Sequence, residues 1–169
     1  MEAALLKDKA LIEDPSGKEL YESGWYGNLE GDKLELALIE AALLSERGKV
    51  EITLDGKKLD FREFFAICAE QDPRFTARYT VYKDLRDRGL PVRIGFQGSD
   101  FRVYERGAKP EKAESIKWIV FASAEDYTCA LEQLGKAIKL AKNIRALALW
   151  AVVDNDNDVT YYIISSVSP

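Results

Sequence analysis

The chain has 169 residues, 47% of them hydrophobic, and a formal charge of −5 at pH 7. That length holds one ordinary domain or two small ones, and the apolar fraction excludes global disorder. No run approaches the roughly 20 apolar residues that cross a bilayer, and the opening MEAALLKDKALIEDPSG lacks the basic start, apolar stretch and cleavage site of a secretory leader. No membrane partner is therefore expected, and the chain reads as soluble and intracellular. Cys68 and Cys129 are too few and too separated for a disulfide framework or a zinc site.

Charge is unevenly distributed. Residues 1–73 carry 9 Lys/Arg against 17 Asp/Glu, a net of −8. Residues 74–117 carry 11 against 6, a net of +5, and residues 118–169 carry 4 against 6, a net of −2. The change at Pro73 divides an N-terminal domain, 1–73, from a C-terminal domain, 74–169. Local positive potential matters more for phosphate binding than total charge does. The basic block could equally be a solvated helix and loop face.

In chain order, residues 3–13 predict a strand or a short strand pair, followed by a turn at Pro15-Ser16-Gly17. Gly24, Gly27 and Gly31 punctuate a loop around Trp25 and Tyr26. Apolar residues at 34, 36, 38, 39, 42 and 43 predict a helix over 34–47, with Gly48 as its C-terminal cap. Residues 50–54 predict a strand closed by Asp55-Gly56, and Asp60 caps a helix running to about Glu70. The second part predicts a helix over 74–88, strands at 92–96, 100–106 and 115–122, and an amphipathic helix over 124–142. The nearly continuous apolar run 147–153 is the pattern of a strand covered on both faces. A turn at 154–158 and a hairpin partner at 159–164 complete the order. Both cysteines fall in predicted helices, where buried small hydrophobes are the simpler reading. Trp25, Trp118 and Trp150 are expected in the core.

The text YKDLRDRGLPVRIGFQGSDFRVY, residues 82–104, carries the functional signal. Tyr82, Asp84, Leu85, Arg86, Arg88 and Gly89 end a helix; Gly95 and Gly98 are spaced beyond a strand; Phe101, Val103 and Tyr104 close the pattern. This combination resembles the C-terminal domain of archaeal tRNA-splicing endonucleases. Tyr21 to Gly27 and the leucine-rich segment after it resemble, more weakly, the small N-terminal domain of the same family. The resemblance implies an α/β (α+β) chain: a small mixed N-terminal domain, then a restriction-endonuclease-like domain with a mixed central sheet. It also implies a cytoplasmic location.

That family is understood to cut RNA with a Tyr base, a His acid and a Lys stabiliser, leaving a 2′,3′-cyclic phosphate and a 5′-hydroxyl without metal or ATP. The 2′-hydroxyl must lose a proton, the leaving 5′-oxygen must gain one, and positive charge must stabilise the crowded phosphorus. The resemblance places Tyr104 at the Tyr position, Ser115 at the His position and Ala146 at the Lys position. A one-residue shift would put Glu114 in place of Ser115. The chain contains no histidine. Phenols are poor bases at neutral pH unless cations favour the phenolate; Arg102 and Arg106 alternate with Tyr104 and are expected on its face of a strand. Tyr104 packing at a strand end, without chemistry, is the plainer alternative.

The resemblance therefore implies the structural subunit of a heterotetramer, two of each chain, supporting a catalytic partner that excises introns from precursor tRNA at bulge–helix–bulge sites. Arg86, Arg88, Arg93, Arg102, Arg106 and Lys117 are the expected RNA contacts. Asp154, Asp156 and Asp158 are the expected docking element, since the family inserts an acidic loop into a basic groove of the opposing subunit; a plain solvated turn is the alternative. The last strand, 159–167, could pair edge to edge with a second chain. Two other functions stay open: an atypical RNA endonuclease using Tyr104 with Glu114, Lys117 or Lys142, and an RNA- or protein-binding fold-alike with no splicing role.

Overall fold

Short alternating segments start the chain, and alternation makes them strands. In a computed structural model that describes residues 1–110 and 115–169, β1 (Glu2–Leu5) and β2 (Lys9–Ile12) form an antiparallel pair with Ala4 opposite Leu11. Ala3, Leu5, Ala10 and Ile12 are buried while their neighbours are not, the period of two that a half-buried sheet requires. The chain forms two units, Met1–Tyr79 and Thr80–Pro169.

Two expectations for the first unit are corrected. A helix, α1 (Gly17–Gly24), occupies part of the segment read as turn and loop. The Asp14 carboxylate accepts from the Ser16 amide and hydroxyl and turns the chain into it. With only Gly17 and Leu20 buried, its apolar face is too short to register as periodicity. The helix read over 34–47 is instead a strand and a helix. After β3 (Asn28–Glu30), β4 (Lys33–Ala37) places Leu34 opposite Ile12 and Leu36 opposite Ala10, and α2 (Leu38–Glu46) follows without a loop. Positions 34, 36 and 38 carry a strand's period and 39, 42 and 43 a helix's; the two patterns share one apolar run.

β5 (Glu51–Leu54) runs parallel to β1, and β6 (Lys57–Leu59) returns from it across Asp55-Gly56. The sheet order is β3-β4-β2-β1-β5-β6. α3 (Phe61–Gln71) begins with the reciprocal cap read from the sequence: Asp60 accepts from the Glu63 amide at 2.8 Å, and Glu63 from the Asp60 amide at 3.0 Å. Gly27 shows the tightest backbone constraint, with φ +66° and the carbonyl of Glu35 at 2.4 Å from where a Cβ would stand. Gly27→Ala is expected to destabilise this unit by about 2 kcal/mol or more, read as a fall in the urea midpoint.

α4 (Phe75–Asp87) runs across the boundary between the units. The second unit contains β7 (Val92–Ile94), β8 (Phe101–Val103), β9 (Trp118–Ala124), α5 (Leu131–Asn143), β10 (Leu147–Val153) and β11 (Val159–Ile164). The strand order is β11-β10-β9-β8-β7, with β9 and β10 parallel through the α5 crossover and the other pairs antiparallel. This is the expected mixed sheet of an α+β chain. β10 is an interior strand and its apolar run matches residues 147–153 as read. α5 starts seven residues later than expected, because Glu125–Ala130 forms a turn and an extended lead, with ψ 150° at Ala130. Cys129 consequently lies outside a helix and is half-buried, whereas Cys68 is buried in α3 with its thiol pushed up to about 12. The three tryptophans are half-buried rather than core.

α4 lies on one face of this sheet. Tyr82 packs its ring 5.4 Å from that of Phe101, and the Tyr161 hydroxyl donates to Asp84 at 2.6 Å. Both are fixed points for locating everything else on the sheet.

Candidate functional site

The sheet topology gathers the three positions that sequence reading singled out. An antiparallel β8–β9 pair puts the end of β8 beside the start of β9, and a parallel β9–β10 pair puts the start of β10 there as well. The Lys117 amide donates to Val103 at 2.9 Å and the Leu147 amide to Lys117 at 3.1 Å. Tyr104 follows Val103, Ser115 precedes Lys117 by two residues, and Ala146 precedes Leu147. All three lie at one end of the sheet.

The chemistry gathered there is sparse. Tyr104 is 3% exposed and its amide donates to Pro91 at 3.0 Å. Ser115 is exposed and Ala146 half-buried. The nearby ammonium, Lys117, is bound to Glu105 at 3.1 Å and lies 4.4 Å from the centre of the Trp118 ring. Lys142 donates to the Ser166 hydroxyl. Arg145 is exposed on a left-handed backbone, φ 58°. Glu114 lies outside the described residues. Among the described residues, this end of the sheet holds a buried phenol, an exposed hydroxyl and a lysine engaged by a carboxylate.

The expectation that Arg102, Tyr104 and Arg106 share one strand face is corrected. β8 ends at Val103, Tyr104 is buried, and Arg106 sits in a turn whose guanidinium donates to the Arg88 carbonyl at 2.7 Å, at the end of α4. The other cations are held similarly. Arg86 donates to the Tyr82 hydroxyl at 3.1 Å and to the Val92 carbonyl at 2.8 Å. Arg88 pairs with Asp84 at 2.8 Å and covers the Tyr161 ring. Arg102 donates to the Ile94 carbonyl at 2.8 Å and covers Phe96. The six fall into separate places: Arg88 with Arg106 at the end of α4, Arg86 beneath it, Lys117 at the start of β9, and Arg93 directly opposite Arg102 on β7 and β8. Like charges directly opposed across strands are unfavourable, and the Arg102 guanidinium turns to the Ile94 carbonyl.

Residues 1–65 match the tRNA intron endonuclease, N-terminal domain, and residues 75–161 match the tRNA intron endonuclease, catalytic C-terminal domain. The chain belongs to the tRNA intron endonuclease family. It is 38% identical to a tRNA-splicing endonuclease of Thermococcus onnurineus over 99% of this chain and 96% of that protein. It is 40% identical to a tRNA-splicing endonuclease of Methanosarcina acetivorans over 100% of this chain but 47% of that protein, and 39% identical to one of Methanococcoides burtonii over 96% and 45%. The chain thus spans about half the length of these last two relatives.

In this member of the family, a contact invisible to sequence reading links α4 to β11. Asp84 accepts from both Tyr161 and Arg88, joining residues 77 apart in sequence. Burial, followed by the hydrogen bond to Asp84, holds the Tyr161 phenol well above its usual range. The folded chain thus favours the neutral phenol. Its stabilising contribution is complete below the unfolded value of about 10 and is lost as pH rises from there through the folded pKa. Tyr161→Phe should cost about 1–2 kcal/mol at pH 7 and should flatten the fall in stability above about pH 10, as measured by urea unfolding at both pH values. No helix among the described residues is long and apolar enough to cross a membrane.

The acidic turn also divides by role. Asp154 accepts from the amides of Asp156 at 2.8 Å and Asp158 at 3.0 Å, and Asn157 takes φ 62°. Asp154 shapes the turn; Asp156 and Asp158 are exposed.

Proposed function

We propose that this chain is a non-catalytic subunit of a tRNA-intron endonuclease, assembled with a catalytic companion, two of each, to remove introns from precursor tRNA at bulge–helix–bulge sites in the cytoplasm. The observation that carries this reading is the absence of any histidine in the 169 residues, together with Ala146 where a cation is needed. The sheet end that should house the reaction is built, yet Ser115 and Ala146 supply neither a proton nor positive charge to it. About half of the Methanosarcina acetivorans relative lies outside the match, which leaves room for a second unit on one polypeptide and favours a paired architecture.

In this reading the companion forms the 2′,3′-cyclic phosphate without metal. Asp156 and Asp158 present their carboxylates to its basic groove, while Asp154 holds the turn in shape. Arg93 and Arg102 meet the RNA backbone, with Arg86, Arg88, Arg106 and Lys117 completing the positive surface. A mixing assay tests the proposal: precursor tRNA is incubated with this chain, with the companion, and with both. Splicing that needs both chains supports it. Cleavage by this chain alone, or full activity of the companion alone, removes it.

A further inference from the structure

α5 buries Ala137, Leu140 and Ala141 on its inner face and turns its other side to solvent. On that outer side Lys136, Lys139 and Lys142 follow one another at the three-residue spacing of helical neighbours, and Arg145 continues the row past the helix end. All four are exposed. From Gln133 to Val153 the sequence holds these four cations and no Asp or Glu, and residues 118–124 and 147–153 of β9 and β10 carry no charge at all. Glu132, just before the row, pairs with Lys136 at 2.9 Å, with both side chains about three-quarters exposed; so solvated a pair is readily exchanged for another anion. Lys142 donates to the neutral hydroxyl of Ser166. The other acids of this region, Glu125, Asp126, Asp154, Asp156 and Asp158, follow the ends of β9 and β10, whereas the row runs toward the start of β10.

Gly135 stands on the same stripe, four residues before Lys139 and seven before Lys142. A glycine inside a helix is destabilising, because the unfolded chain has more backbone freedom to lose. A Cβ added at Gly135 would meet nothing within 4 Å, so no contact among the described residues requires glycine there. A solvated helix face accounts for the lysines, and the helix dipole for a cation in the last turn such as Lys142. Neither accounts for bare backbone between them. A helix without a side chain at this point lets an extended anion lie close while ammonium groups reach it from along the row. The stripe from Gly135 to Lys142 covers roughly 10 Å, which suits a chain of phosphates better than one carboxylate. By contrast, Arg86, Arg88, Arg102 and Arg106 are held at separate places by carbonyls and a carboxylate.

We propose that the outer face of α5 is a phosphate track, on which an RNA backbone passes over Gly135 and is held by Lys136, Lys139, Lys142 and Arg145. The track ends where Ser115 and Ala146 stand, since the Ala146 amide bonds back to Ala141 and the Leu147 amide to Lys117. That the RNA is precursor tRNA rests on the function proposed above; the cation row and its glycine do not.

Fluorescence anisotropy of the full chain tests it, with an intron-containing precursor tRNA and, for an acidic protein instead, a glutamate peptide as probes. Lys136→Gln with Lys139→Gln should weaken RNA binding about tenfold and lower the slope of log affinity against log salt by about 1.5. Lys57→Gln with Lys58→Gln, the same charge change on β6, should leave affinity within about twofold. Gly135→Gln should raise the urea midpoint yet weaken RNA binding about threefold, a split that a glycine serving the fold would not give. No RNA binding by the native chain, unchanged binding in either α5 variant, an equal loss in the β6 variant, or peptide binding as tight as RNA binding overturns the inference. Splicing assays with the companion separate it from the proposed function. If the α5 variants bind RNA normally while splicing still needs both chains, the track is wrong and the subunit assignment survives. If those variants lose RNA but the companion splices alone, the assignment is wrong and the track survives.

Discussion

Incubated alone with an intron-containing precursor tRNA, this chain is expected to produce exon ends about 10⁴-fold more slowly than a complex with its companion. A positioned general acid contributes about 10²-fold or more, and a group stabilising developing negative charge contributes a similar factor. Ser115 and Ala146 supply neither, so the two losses compound. Tyr104 should not compensate: it is 3% exposed, and a base must come within hydrogen-bonding distance of the hydroxyl it deprotonates. In the mixed complex, Tyr104→Phe should therefore leave the single-turnover rate within about twofold. A tenfold drop would assign Tyr104 to the reaction and end the non-catalytic reading. Ala146→Lys alone should not rescue cleavage, since a cation without a proton donor leaves the 5′-oxygen without its proton.

Much of the second unit was legible because its elements have strong single patterns. The run 147–153 is apolar throughout and flanked by Arg145 and an acidic turn, so the strand boundaries follow from composition. Gly89, with φ +76°, ends α4 where the sequence places its stop. The first unit was harder to read because local and global signals conflict there. Leu34 to Leu44 contains two periods in succession without a glycine or proline between them, and periodicity averaged over the run favours the helix. The candidate sheet end was legible by position alone. Its ladder, Val103 to Lys117 to Leu147, follows from strand pairing, but the engagement of Lys117 by Glu105 does not. The arginines show the same limit. Six cations in one sequence block suggest one surface, whereas hydrogen bonds to the carbonyls of Val92, Ile94 and Arg88 fix three of them to separate parts of the backbone. Sequence distance gave no hint of Asp84 meeting Tyr161.

The break between β4 and α2 depends on one side chain, and its removal should have the largest effect on stability. Glu40 is 2% exposed, and its two carboxylate oxygens accept from the Gly27 amide at 3.0 Å and the Ala37 amide at 2.9 Å. Ala37 has no side-chain oxygen to cap α2, so the return bond from Glu40 is what closes this helix start, where the helix dipole also favours a negative charge. Glu40→Ala leaves the buried Gly27 amide and the half-buried Ala37 amide without that acceptor, at about 1–3 kcal/mol each at most, and opens a cavity. A total loss of about 3–5 kcal/mol is expected, a large part of the 5–15 kcal/mol typical of a folded domain. Glu40→Gln keeps one carbonyl oxygen and should lose roughly half as much. Hydrogen exchange gives a local readout: the Gly27 and Ala37 amides should lose protection in Glu40→Ala before those of β9 and β10 change. A loss below about 1 kcal/mol, with both amides still protected, would show that other groups close the helix start. For a subunit whose proposed contribution is shape rather than chemistry, this change should reduce splicing by the mixed complex although Glu40 lies in the N-terminal unit.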